Sequence, residues 1–556
     1  MKNLNRKLKI LKINNLYKHF KTVRYSDGFL FLLNNLGYAK IAYIICDFRK
    51  RGNLLETNNK KTVVLVAFYN IKALGARYLE AALKKAGYHV VTVFYKDFNS
   101  INPRPTTQTE LNFLKEIIEK EKPVMVGLSV MSSMYLETAD KVIETVKSTN
   151  IPTVCGGAYA TMFPERFLDK GVDFVIRADG EISICQLADA LSKNTDYKDI
   201  PSLCYKENGE NKINEIGNIL TDIDGYGLPA IECEDAYFIE NNKIKQGDPQ
   251  LGTMSYEVIA SRGCPFTCSY CCCVNLRRLF PKGTKYVRTR SVKSVIDELK
   301  IVKKKFKKLV FVHFYDEIFP NLPGWVDEFI VEYKKHINLP FTIWSHPKMV
   351  DGEMLKKLVS VGLVEIIMGI QSGSERIRKE IFHRYETQED IIKATRVIRE
   401  SGVYWGSFDF MLQHPFETID DLKETYFLVK KLYPPFELQL HGLNFLPGTD
   451  IVGMAIEQNL ITKEQMDEIM YAPMQEQFGA YWKRENETMS QLWYRMTYCL
   501  QFPGPRKKIE TFENDPLSHK EEIDSLYEKC TKMFKRRYYI KKINIVLRRI
   551  KLKLLK

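Results

Sequence analysis

The chain has 556 residues, 45% hydrophobic and 27% charged, and 83 basic against 68 acidic side chains give a formal net charge of +15. That is the balance of a globular protein long enough for three or four domains of about 100–200 residues each. No run of about 18 uncharged apolar residues is found, so no spanning helix is expected, and the basic start of the chain alternates apolar residues with lysines, unlike a secretory leader, so a cytoplasmic location is expected. The positive surplus suits nucleic acid, anionic lipid or an acidic substrate. A lysine-rich codon bias explains it equally well.

Residues 1–60 read as a basic N-terminal extension with an apolar stretch over 29–46 and no assignable chemistry. From Thr62 the pattern changes. Short apolar runs at 62–68, 89–95, 123–130, 151–155 and 173–181 alternate with helical periodicities over 74–87, 109–121 and 135–148. Such alternation predicts an α/β domain over 61–200, a doubly wound (Rossmann-like) parallel sheet. Ligands of these sheets bind at the carboxyl ends of the strands, here the loops 69–75, 129–134 and 156–164. Residues 201–252 read as a linker carrying one hairpin, SLCYKENGENKI, with a Glu-Asn-Gly turn.

A second alternating series spans 253–452. Strands are predicted at 257–263, 308–314, 341–346, 364–370, 404–412 and 437–445, and helices at 291–306, 322–337, 351–361, 374–381, 387–401 and 417–431. Six βα units predict a full or partial (β/α)6 barrel with its site at the C-terminal face. Residues 453–556 read as a helical C-terminal region ending in a strongly basic, apolar tail. The tail is a candidate for peripheral contact with an anionic membrane; a solvated or partner-packed helix is the alternative.

Of 12 cysteines, five crowd into ten residues in ASRGCPFTCSYCCCVN (260–275). This argues for a metal site in a reducing compartment rather than a disulfide framework. Cys264, Cys268 and Cys271 are spaced C-x3-C-x2-C directly after the first barrel strand. Three thiolates on a cubane cluster leave one iron open to a substrate or cofactor. A zinc site is the alternative, with His313 as one further ligand, but no second C-x2-C pair exists. Cys272 and Cys273 are surplus, and a register in which Cys272 replaces Cys271 stays open.

The string resembles the radical S-adenosylmethionine (SAM) signature, with Tyr270 as the aromatic residue before the last cysteine. Further in-order matches over about 255–450 are YDEIF (315–319), MGIQSGSERI (368–377), Arg384 in HRYET and NFLPGTD (444–450). FDFMLQHPFET (408–418) departs from the family's G-L-P-G-E-T turn at Gln413, His414 and Phe416. The resemblance implies a [4Fe-4S] cluster whose open iron chelates SAM. It also implies SAM contacts from Tyr270, Asp316, Glu317, Gln371 and Ser372. The catalytic residue for the substrate is not legible. His313, His346, His414 and His441 fall near strand ends, with packing or hydrogen bonding as the default for each, and Tyr385, Tyr404 and Trp405 are candidates for a cavity lining.

The domain ahead of the barrel resembles the cobalamin-binding class of the same superfamily through GLSVMSSMYLETA (127–139), CGGAYATMFPE (155–165) and VIRADGE (175–181). This implies cobalamin contacts from Ser129, Ser132, Gly156 and Gly157. No histidine lies between Thr62 and Tyr88, so a D-x-H-x-x-G ligand loop is absent. The expected activity is cobalamin-dependent C-methylation of a small molecule or peptide, with an electron donor such as flavodoxin or ferredoxin. DNA is not expected as a partner, and RNA is disfavoured because no RNA-binding module is visible. The alternatives are a cobalamin-dependent cyclase or oxidative enzyme without methyl transfer, or a non-catalytic iron–sulfur or cobalamin sensor. Methylthiotransferases would need a further tight cysteine set, which Cys46, Cys155, Cys185, Cys204 and Cys233 do not form.

Overall fold

The computed structural model describes residues 61–99, 103–480 and 488–554. The N-terminal extension and Cys46 lie outside them. Residues from Lys61 onward form one compact unit.

Strands β1 (Thr62–Phe68), β2 (His89–Tyr95), β3 (Met125–Ser129), β4 (Thr153–Gly156) and β5 (Phe174–Ile176) pair in parallel in the order 5-4-3-1-2. Val63, Val64, Leu65 and Val66 are almost wholly buried, as a continuous apolar run in a sheet covered on both faces requires. Helices Leu74–Lys85, Gln108–Glu121, Leu136–Lys147 and Glu181–Lys193 cover it. The second starts in a capping box in which Thr107 and Glu110 exchange side-chain and backbone hydrogen bonds. The strand order reverses between β1 and β3, which opens a crevice at their carboxyl ends.

Residues 201–252 do more than link. They form β6 (Leu203–Glu207) with β7 (Glu210–Ile213), and β8 (Ala236–Glu240) with β9 (Lys243–Gln246). One hairpin extends each edge, making nine strands in all. The first turns through Asn208 and Gly209 at positive φ, as its Asn-Gly pair predicts. The second escaped the sequence reading because β9 is exposed along its whole length, so no hydrophobic alternation marks it. Its lysines suit an edge strand that must not recruit another chain.

The second sheet is a six-stranded open barrel. It starts at β10 (Ser255–Val258); the two-residue strands β11 (Ser261–Arg262) and β12 (Arg288–Thr289) form a separate ribbon, and β13 (Phe311–Phe314), β14 (Phe341–Ser345), β15 (Leu363–Gln371), β16 (Trp405–Leu412) and β17 (Phe436–Gly442) follow in sequence order, all parallel. The helix predicted over 374–381 is a five-residue π turn, Ile377–Ile381, closed by Phe382 N–H donating to Ile377 O at 2.8 Å. Sequence periodicity carries no signal for that switch in hydrogen bonding.

After Thr449 the described chain is helical. It ends in a 35-residue helix, Lys520–Leu554, that crosses the amino ends of the barrel strands. Arg537 donates to Phe436 O, Lys541 pairs with Glu365, Ile545 packs with Val310 and Val364, and Leu552 O accepts from Asn338. This helix closes the barrel floor.

Candidate functional site

The cysteine loop leaves β10 and is pinned at its start by Asp316. One carboxylate oxygen of Asp316 accepts from Ala260 N–H at 2.8 Å, Ser261 N–H at 2.6 Å and Ser261 Oγ–H at 2.6 Å. Burial pushes the Asp316 carboxyl up to about 7 despite those donors. Asp316 shapes the loop through this oxygen, its other oxygen being buried without a hydrogen-bond partner among the described residues, and Glu317, beside Cys271 and Cys273, is the member of the acidic pair that looks onto the cysteines. Gly263, at φ +88, lets the loop pass Tyr286 O, where a Cβ would sit 2.5 Å away.

Cys264, Cys268 and Cys271 are free and neighbour one another, the Cys264 thiol feeling both of the others. Burial pushes the Cys264 thiol up to about 12, so a metal bound there would have to displace its proton. Cys271 stands at the N-cap of the helix Cys272–Leu279, and Cys271, Cys272 and Cys273 hydrogen-bond among themselves. Of these three, Cys271 is the one that weighs on the Cys264 thiol. Among the described residues no three His, Cys, Asp or Glu side chains converge on a single ion position. Three thiols on one loop are the donor type that a cubane cluster takes, each thiolate on a different iron.

A buried network supports the loop from behind. Phe266, between the first two cysteines, stacks on His346 with ring centroids 3.8 Å apart. His346 Nε2 lies 3.4 Å from Glu386 Oε2, and Arg384 Nε donates to Glu386 Oε1 at 2.7 Å. Arg384 also donates to Gly369 O at 2.6 Å, and its Nη1 lies 3.3 Å from Tyr270 Oη and 3.8 Å from Cys268 Sγ. Burial alone would raise the Glu386 carboxyl, but the His346 hydrogen bond and the Arg384 charge hold it near 2. Tyr270 is thus packed into the wall of the loop, edge-on to Phe382. Phe266 lies inside the C-x3-C spacing and Glu386 inside HRYET, but neither motif assigns them a role; only the fold joins them.

Gln371 ends β15 at φ 70, an unusual angle for a side-chain-bearing residue. A Cβ on Gly369 would meet Gln371 Nε2 at 2.4 Å, so Gly369 makes the room Gln371 uses. Ser372 is fully buried, its Oγ accepting from Ser374 N–H at 3.1 Å and its carbonyl accepting from Arg378 Nη1 at 2.8 Å. Expected as a SAM contact, Ser372 instead holds the turn, leaving Gln371 as the half-exposed member of the pair. His414 is buried between Phe382 and Phe416.

Inside the barrel, polar side chains alternate with outward apolar ones. Glu257, His313, Thr342, Glu365 and Trp405 form one row of the sheet, and Gly369, Asp409 and Gln439 form a row nearer the mouth. Trp344 Nε1 donates to His313 Nε2 at 3.0 Å, and burial first, then Lys72 and Lys541, lowers that imidazole to about 4. Asp409 hydrogen-bonds to no described residue, and burial, then Glu365 and Glu437, push it up to about 7. Unfolded, this carboxyl ionises near its ordinary 3.8; folded, it keeps its proton to about 7. The folded state therefore binds more protons in that window, and stability falls as pH rises through it. Asp409→Asn is expected to flatten this slope, the gain over wild type being near zero at the acid end and on the order of a few kcal/mol at the alkaline end. Urea unfolding at several pH values measures it.

The crevice of the N-terminal domain is a cavity of about 290 Å³ lined by Leu65, Gly75, Gly127, Ser129, Gly156 and Glu181, and by Ile259 and Arg262 of the barrel. Around Gly75 no atom lies within 4 Å of an added Cβ. Gly157, at φ +105, lies against Val130 O, where a Cβ would come within 2.6 Å. Ser129 lines the cavity, whereas Ser132 caps the turn at 133–135 by accepting from Met134 N–H. Arg262 joins the two halves: it pairs with Glu181 at 2.5 Å and Asp179 at 3.2 Å and lies over the Tyr78 and Tyr226 rings. Lys72 pairs with Glu257 at 2.8 Å across the same boundary.

Two family models match. That of the radical SAM superfamily covers residues 258–429, and that of the B12 binding domain covers residues 60–188. An uncharacterised methyltransferase of Pyrococcus horikoshii is 27% identical over 357 residues, 63% of this chain and 72% of the relative. An anaerobic magnesium-protoporphyrin IX monomethyl ester cyclase of Cereibacter sphaeroides is 25% identical over 363 residues, 63% of this chain and 55% of the relative. Among solved structures, the radical SAM methyltransferase TsrM from Kitasatospora setae, bound to tryptophan and a SAM analogue, aligns with a TM-score of 0.56 at 18% identity, covering 72% of this chain and 76% of that one. The cobalamin-dependent radical enzyme OxsB, with aqua-cobalamin and SAM, aligns at 0.59 and 15% identity, covering 88% and 82%.

Proposed function

We propose, for a chain that belongs to the radical SAM superfamily and carries a B12-binding domain ahead of its barrel, that it is a cobalamin-dependent radical SAM methyltransferase acting on a small molecule or peptide. The observation that carries this reading is the joint placement of three mutually adjacent thiols at one end of the barrel and a glycine-opened crevice at the facing strand ends. When bound, the cluster supplies the electron that splits SAM and the cobalamin supplies the methyl group.

Cys264, Cys268 and Cys271 would hold the cluster. Arg384, buried beside Cys268 and fixed by Glu386 and Gly369 O, keeps a positive charge against it. Gln371 offers an amide to SAM at the barrel mouth. The cavity between β1, β3 and β4 would receive part of the cobalamin, with Gly75, Gly156 and Ser129 as its wall. Asp409 and Gln439, in one row below the mouth, orient the substrate. The closed floor excludes water from that end. A flavodoxin or ferredoxin would deliver the electron.

The test is anaerobic incubation of the reconstituted protein with reductant and methyl-labelled SAM. Formation of 5′-deoxyadenosine together with label on the corrinoid is expected. No 5′-deoxyadenosine at full cluster occupancy overturns the enzyme reading. The similarity to the cyclase favours a second reading, ring formation with both cofactors. It predicts 5′-deoxyadenosine without label on the corrinoid.

A further inference from the structure

The final helix has two faces, and only one is used by the barrel. Arg537, Lys541, Ile545 and Leu552 point to the strand ends. The opposite side carries Tyr539, Ile543, Leu547 and Ile550, spaced four, four and three residues apart, which places them on one stripe. They are 67%, 59%, 54% and 48% exposed, and Ile540 beside them is 57% exposed. Lys535 and Lys542 flank the stripe on one side and Lys551 on the other, all exposed. From Lys529 to Lys556 the chain has twelve Lys and Arg and no Asp or Glu.

A helix bathed only in water does not keep a continuous apolar row outward; such a patch marks an interface. The charge is of one sign only. A protein partner's rim mixes signs, and a nucleic acid would use the cations while leaving the Ile and Leu row without a partner. An anionic bilayer satisfies both, with apolar residues in the headgroup boundary and lysines on the lipid phosphates. No described helix is long and apolar enough to cross a membrane, which fits a helix lying in the surface plane.

We propose that this face of the C-terminal helix docks the enzyme on an anionic lipid surface, with the barrel floor turned toward the membrane. The cations on either side of the stripe add to one another at such a surface, so several together suffice for reversible attachment.

The test is co-sedimentation of the full-length holoprotein with phosphatidylcholine vesicles, with and without phosphatidylglycerol. Sedimentation only with the anionic vesicles, weakened by salt, is expected. Ile543→Glu with Leu547→Glu, both at exposed positions, should weaken it at least tenfold while 5′-deoxyadenosine formation is unchanged, which shows the variant is folded. The proposal is overturned if wild type stays in the supernatant, or if the double variant binds equally. Dimerisation of wild type without lipid that the variant abolishes, or retention on RNA in place of vesicles, also overturns it, assigning the stripe to a second copy or to a nucleic acid.

Discussion

Alanine at Cys264, Cys268 or Cys271 is expected to remove the iron–sulfur absorption and cut 5′-deoxyadenosine formation by about a thousandfold or more, because a cluster short of one thiolate no longer holds an iron open for SAM. Alanine at Cys272 or Cys273 should leave both within a few fold. The contrast follows from the surroundings of Cys264, whose thiol feels Cys268 and Cys271, while the two surplus thiols open a helix and bond to Cys271, to each other and, for Cys273, to Glu317. Equal loss at Cys271 and Cys272 would restore the shifted register. Iron and sulfide counts on the purified variants decide it without reference to any substrate.

The second large effect is expected at Gly75. This residue stands in the first turn of the helix Leu74–Lys85, lines the crevice and has open space where a side chain would go. Gly75→Phe should lower cobalamin loading at least tenfold by filling the space, since the Cβ it adds meets no atom within 4 Å and its ring extends from there into the crevice. SAM cleavage should persist, since the cluster loop is untouched. The corrinoid absorption of the loaded variant, read beside its melting temperature, separates a blocked crevice from a damaged fold. Normal loading would move the corrinoid elsewhere.

What the sequence disclosed depended on whether a feature was periodic. The alternation of apolar runs and helical stripes revealed both sheets, because burial on both faces writes itself into consecutive residues such as 62–68. The cysteine spacing revealed the loop for the same local reason. Features assembled from distant segments left no such trace. Glu386, Phe266 and His346 meet only because β14, the loop after β10 and the turn after the π segment converge. Ser372 looked like a ligand by motif, yet its hydroxyl serves the turn. The exposed hairpin β8–β9 was hidden because nothing along its outer strand is buried.

Lys541 reaches Glu365 and lies 4.0 Å from Glu437, so the lower doorway is bolted by a side chain from the last helix. The same helix ties residues 537–552 to Phe436, Glu365 and Asn338, the last of them 214 residues earlier in the chain. The lower end of the barrel is therefore completed only after residues 537–552 have been made, so during synthesis the six strands wait for their floor.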